Sequence, residues 1–259
     1  MSVLSNAIKS TFPADLPASG RLHVEANSNL DLGPTAANPN ACLGPTDVID
    51  STSPIIKELA ERLTAGLQGD GPRAAALFRW VRDEIRYDFT PVMDSRAVWL
   101  ASATVTRGKG FCQQKAVLLV ALARAVGIPA GTVFQHLADW KLRDSRYEAA
   151  LPGGVIIYHG LCALWWNGAW HALDPSLDSE LCARRRYQVV EVDAHTGLTT
   201  TGSDALLPLN DLDGHRHFDI LGQTAVFADV PVVISDLLVA FDAQWAEVRQ
   251  LAQRTGVTM

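Results

Sequence analysis

Gly108-Lys109-Gly110-Phe111-Cys112-Gln113-Gln114-Lys115-Ala116 places one cysteine between a glycine-rich turn and a strongly helical run that closes at Gly127-Ile128-Pro129. A thiol there stands at the positive end of a helix, where unpaired backbone N–H groups and the macrodipole favour an anion. The thiolate is the nucleophilic form of cysteine, so this is where a chain puts a reactive sulfur. His159 and Asp174 follow, in the order thiol, imidazole, carboxylate. Such a set suffices for acyl transfer by a cysteine nucleophile with a general base and an orienting acid.

Working outward, Ala116, Leu119, Val120 and Ala123 share one face, with Leu118, Leu122 and Val126 beside them. A stripe that wide predicts a largely buried helix. A strand over 128–137 leaves it at the glycine cap. Residues 139–153 are charged and carry proline and glycine, as a surface loop or lid does. Val155 to Trp166 and Ala169 to Asp174 flank Asn167-Gly168, the pair most typical of a two-residue type I′ hairpin.

Upstream, Ser53-Pro54 opens a helix to about Leu67, with Ile55, Ile56, Leu59 and Leu63 at helical spacing. Gly71-Pro72 opens another, striped by Leu77, Trp80, Val81 and Ile85 and ending near Tyr87. Residues 88–110 have no clear period. Residues 187–193 and the region around 215–228 read as further strands. Ser235 to Arg254 reads as an amphipathic helix with Leu237, Leu238, Phe241, Trp245, Val248 and Leu251 inward. The expected class is α+β, with the nucleophile on the N-terminus of a buried helix packed on an antiparallel sheet. Its catalytic core is expected at 51–195, preceded by an extended segment, 1–50, that wraps the core. Strands and a helix in 196–259 belong to the same domain.

The hairpin selects the working histidine. With Asn167-Gly168 as the whole turn, Asp174 faces Leu161 and His171 faces Leu164. Opposed residues share a sheet face and faces alternate along each strand. His159 then lies diagonally beside Asp174, about 7–8 Å away at the backbone, while His171 points to the other face. A bulge within the paired stretch would exchange the faces. Cys162 falls opposite to His159 in the alternation and is expected to be core filling.

Composition narrows the function further. The 259-residue chain is 48% apolar with a formal net charge of −6, which argues against a general nucleic-acid binder. The run Arg184-Arg185-Arg186 reads as a solvated turn. The N-terminus shows no apolar signal-peptide core and no apolar run approaches the ~18 residues of a membrane span, so a cytoplasmic protein with no membrane partner is expected. Cys42, Cys112, Cys162 and Cys182 show neither C-x-x-C spacing nor disulfide-scaffold density. His215-Arg216-His217 lacks a third ligand at a recognisable spacing. No metal and no cofactor are expected.

These residues resemble the transglutaminase-like superfamily, a papain-like group of thiol enzymes. The likeness rests on Gly110-Phe111-Cys112, the Ala/Leu-rich helix closed by Gly127-Ile128-Pro129-Ala130, Tyr158-His159-Gly160, Asn167-Gly168-Ala169-Trp170 and Leu173-Asp174-Pro175-Ser176. Cys42-Leu43-Gly44-Pro45-Thr46-Asp47 and Ile85-Arg86-Tyr87-Asp88 also look like bacterial members. The resemblance implies a papain-like fold, with Cys112 as nucleophile, His159 as general base and acid, and Asp174 as orienting acid. The backbone N–H of Cys112 is one expected oxyanion donor; Trp99 and Gln113, or Gln114, are candidates for the second. The chain departs from the family in having Gly160-Leu161 where Ala-Trp is frequent. It shows no calcium loop. Amide or peptide hydrolysis through a thioester is the leading expectation. Transfer or cyclisation onto an amine or carbon nucleophile comes next, and a catalytically silent peptide-binding module third. The partner is accordingly a peptide, amide or acyl-thioester substrate.

Overall fold

Asn167 and Gly168 both take positive φ (51° and 80°) and join the strands β4 (Val155–Trp166) and β5 (Ala169–Leu173) in the register Trp166↔Ala169, Leu164↔His171, Cys162↔Leu173. That is the hairpin expected from its turn. β3 (Ala130–Asp139) pairs antiparallel with β4, and β6 (Phe218–Gln223) with the far edge of β3, giving the order β5-β4-β3-β6. The structure, a computed structural model, describes residues 36, 38–88, 90–143, 152–193 and 211–240, together with 246, 249, 250, 253 and 254. Most of the expected N-terminal wrap, the centre of the 139–153 loop and part of the tail helix lie outside the described residues.

The helix α4 (Cys112–Ala125) is buried from Cys112 to Arg124. It packs on β3 and β4 with one side and on three helices with the other: α1 (Pro54–Thr64), α2 (Asp70–Glu84) and α3 (Ala101–Arg107). A helix covered all round is largely apolar; its buried polar residues, Gln113, Gln114, Lys115 and Arg124, sit near its two ends and are hydrogen-bonded. Gly127 (φ 81°) ends it: Gly127 N–H bonds Arg124 C=O and Ile128 N–H bonds Ala123 C=O. This pair is the Schellman arrangement, which needs a left-handed residue at Gly127. The chain then turns directly into β3.

Sheet faces divide as the alternation requires. Cys162, Leu164, Trp166 and Leu173 join the main core under α4, while Leu161, Ala163 and Ala172 form a smaller cluster with Val133. The β3–β4 register shifts between Gln135↔His159 and Leu137↔Ile156. Two residues of β4, Ile157 and Tyr158, therefore stand against His136 alone, and Tyr158 takes φ 52°. This bulge lies before His159, so the stretch joining His159 to the turn keeps its alternation.

Several boundaries differ from expectation. α1 stops at Thr64, before Gly66 at φ 75°, and α2 ends at Glu84. Arg86–Tyr87 instead form a short strand, β1, parallel to β2 (Lys109–Gly110). The segment without a period holds a 3-10 turn at Arg96–Trp99 and then α3. Residues 187–193 form no regular strand; Tyr187 makes an isolated bridge to Asp211. A short helix, α5 (Ser179–Arg185), precedes them, with the Asp178 side chain accepting from Leu181 N–H. α6 (Val232–Ala240) begins three residues before Ser235, because Pro231 C=O accepts from Ile234 and Ser235. Among the described residues no helix is long and apolar enough to cross a membrane.

Candidate active site

Cys112 is the first residue of α4, and a chain of short contacts delivers it there. Gly108 (φ 63°) terminates α3, β2 lies alongside β1, and the Phe111 N–H is taken by Gln114 Oε1 at 3.2 Å. The Gln114 amide donates to Val98 C=O at 2.8 Å. Gln114 is thus a capping residue that spans the turn, its polar groups satisfied inside the core.

Gly160 sets the distance between α4 and β4. A Cβ there would lie 2.6 Å from Gln113 Cα and 2.5 Å from Gln113 Cγ. The departure from the Ala-Trp pattern therefore has a steric cause in this chain: the first turn of α4 rests on the backbone of the residue after His159. That contact brings the sulfur and the imidazole together.

His159 and Asp174 are both almost fully buried, with Nε2 and Oδ2 2.6 Å apart. Ser176 N–H donates to the other carboxylate oxygen, Oδ1, at 3.0 Å. Burial opposes the charged ring, but Asp174 and the nearby Cys112 sulfur outweigh it and push the His159 pKa up to about 10. Burial likewise opposes the Asp174 carboxylate, and His159 with Ser176 holds it below the usual carboxylate range. A charged imidazole between an acid and a sulfur is the electrostatic state this arrangement favours. Burial raises the pKa of Cys42, that of Cys182 to about 12, and that of Cys162 well above its ordinary value.

Trp99 and Gln113, two of the oxyanion candidates, meet each other. Trp99 Nε1–H donates to Gln113 Oε1 at 3.0 Å, and Gln113 Nε2 donates to Tyr158 C=O at 2.6 Å. In this structure they form a relay that ties the α3 approach, the first turn of α4 and the bulge before His159. His171, as the alternation requires, faces away and stacks on Trp166 at 3.8 Å. Trp165 and Trp170 form a cross-strand edge-to-face pair at 5.5 Å.

Two neighbours of the site were assigned no role from the sequence. Lys115 is fully buried one turn beyond Cys112; its Nζ donates to Arg82 C=O at 2.9 Å, and burial pulls its pKa down to about 7 against the pull of Asp178 and Asp174. A lysine inside so apolar a helix was the visible anomaly. Tyr87 lines a cleft of about 490 Å³, partly open solvent, with His159, Leu137, Ile156, Leu181 and Phe218. Its two-residue strand was too short for any periodic signal.

His215 and His217 do not converge. His217 is buried and stacked on Tyr187 at 4.2 Å, whereas the His215 side chain is exposed. Among the described residues His215 groups with Asp211 and Asp213. Those carboxylates already serve Lys141, Arg186 and the backbone N–H groups of Asp213 and His215.

Residues 57–175 match the family model of the Transglutaminase-like superfamily, a span that holds Cys112, His159 and Asp174. Over that span, a little under half of the chain, the protein is similar to the transglutaminase-like superfamily, and its helices and antiparallel sheet form an α+β core. Among solved structures it is similar to a "Putative Cysteine Protease from Cytophaga hutchinsonii" at 22% identity and a TM-score of 0.42, covering 54% of this chain and 42% of that one. It is also similar to a "putative protease" from Parabacteroides distasonis at 15% identity and a TM-score of 0.36, covering 54% of this chain and 25% of that one. The chain thus aligns with less than half the length of either. No curated protein matches it.

Proposed function

We propose that this protein hydrolyses an amide or peptide bond through a thioester on Cys112. The Cys112 sulfur attacks the substrate carbonyl carbon, forming the S–C bond of a tetrahedral intermediate. His159 Nδ1, the ring nitrogen not bonded to Asp174, passes its proton to the departing amine as the C–N bond breaks. Water then gives a proton to the same nitrogen and attacks the thioester, releasing the acid and restoring the thiol. Asp174 fixes the ring tautomer and stabilises the imidazolium throughout. The backbone N–H of Cys112, at the open end of α4, is one oxyanion donor. The apolar cleft flanking His159 takes the substrate group next to the scissile bond.

The observation that carries this proposal is the buried 2.6 Å contact between His159 and Asp174 on a ring whose proton affinity Cys112 also raises. Iodoacetamide labelling of the native protein with peptide mapping tests it. Cys112 should label ahead of Cys42, Cys162 and Cys182, and His159→Ala should slow it. A Cys112 that reacts no faster than the other three contradicts the proposal. Hydroxylamine and simple amines added during turnover separate hydrolysis from transfer: acid as the main product supports hydrolysis, and amine adducts in preference to acid make the protein an acyltransferase.

A further inference from the structure

Acyl transfer needs a second group to bind the oxyanion, and the two obvious donors are occupied. Trp99 donates to Gln113 and Gln113 to Tyr158 C=O; either would have to break a buried hydrogen bond to serve. Tyr87 has no such commitment. Among the described residues its hydroxyl has no hydrogen-bond partner, and its ring lines the same cleft as His159.

The backbone fixes Tyr87 against the nucleophile. Tyr87 pairs in parallel with Gly110, two residues before Cys112, and Asp88 N–H bonds Gly110 C=O at 2.9 Å. On the other side Tyr87 N–H donates to Asp178 Oδ2 at 3.0 Å, anchoring the strand to the segment that follows Asp174. β1 is thus clamped between the loop bearing the sulfur and the loop bearing the acid.

Resting on the thiol acyl-transfer proposal, we propose that the Tyr87 hydroxyl is a catalytic donor to the oxyanion formed when Cys112 attacks a carbonyl. The electrostatic setting suits that role. Burial, and then the negative charges of Cys112, Asp174, Asp139 and Asp88, push the phenol well above its ordinary pKa. The group therefore stays a neutral O–H donor, placed where negative charge at Cys112 is felt. A preorganised donor of this kind acts on the tetrahedral intermediate and leaves simple substitution at the sulfur untouched.

That asymmetry supplies the test. Acetylation of Cys112 by p-nitrophenyl acetate passes through an oxyanion, whereas its alkylation by iodoacetamide does not. Both rates are measured in the full chain for wild type, Tyr87→Phe and Trp99→Phe, with Cys112→Ala as background. Tyr87→Phe should lower acetylation by about 10-fold or more and leave alkylation within about two-fold of wild type. Equal acetylation in Tyr87→Phe and wild type overturns the assignment, as does an equal fall in both reactions, which would make Tyr87 a support for the Cys112 loop. A loss in Trp99→Phe alone would move the role to Trp99. If wild type alkylates at Cys112 but shows no acetylation above background, acyl transfer itself fails, and the role of Tyr87 with it.

Discussion

At the C-terminal end of α4, Arg124 is buried and gives its guanidinium to the carbonyls of Ala130, Gly44 and Ala228, all within 2.8 Å. The Schellman turn at Gly127 takes up the last helical carbonyls beside it. At the N-terminal end, Cys112 begins the helix beside a charged imidazole, and the side chains around it hold their neighbours in place. Both ends are buried and both contain polar groups. One end uses them to close the backbone, whereas the other keeps a sulfur and a proton unspent. The lesson is that burial alone does not mark an active site; a buried reactive group left free by its neighbours does.

The largest expected effect belongs to the open end. Cys112→Ala should lower turnover by about 10⁴-fold or more while leaving the melting temperature close to wild type, as paired activity and thermal-melt measurements would show. Arg124→Met should do the reverse. It strands three carbonyls and should cost on the order of 3–5 kcal/mol in urea unfolding, with the Cys112 labelling rate of the folded protein unchanged. A matching loss of labelling would dissolve the contrast between the two ends.

Gly160→Ala sits between these extremes. Its new Cβ meets the Gln113 backbone, so about 1–3 kcal/mol of stability should be lost. Cys112 labelling should slow as well, because the contact that sets the sulfur against His159 is forced open. The smallest effect is a slope with pH. His159 holds its proton to about 10 when folded, against 6.5 for an unperturbed histidine. Its contribution to stability is complete below 6.5 and is lost as pH rises through the folded value. Melting temperature should drift down across that window, and Asp174→Asn should flatten the drift.

Much of this contrast was legible in the chain. Asn167-Gly168 fixes the hairpin register, and parity alone then separates His159 from His171; the bulge at Ile157-Tyr158 spares that inference only because it falls outside the paired stretch. No residue there announces it, since a tyrosine at φ 52° carries no glycine-like signal. β1 and β2 were illegible because two-residue strands have no period to detect. α3 hid for a related reason: in seven residues it buries only Ala101 and Thr104. The link between Trp99 and Gln113 depends on a fold that brings residues fourteen apart into hydrogen-bond reach, which local pattern does not encode.

His159 works as an imidazolium held between Cys112 and Asp174. Nitrogen NMR of the His159 ring, followed from pH 5 upward, reads its protonation directly. The ring should be doubly protonated throughout the neutral range, with titration only near 10, and that midpoint should fall in Asp174→Asn. A ring already neutral at pH 7 in the wild-type protein would contradict it.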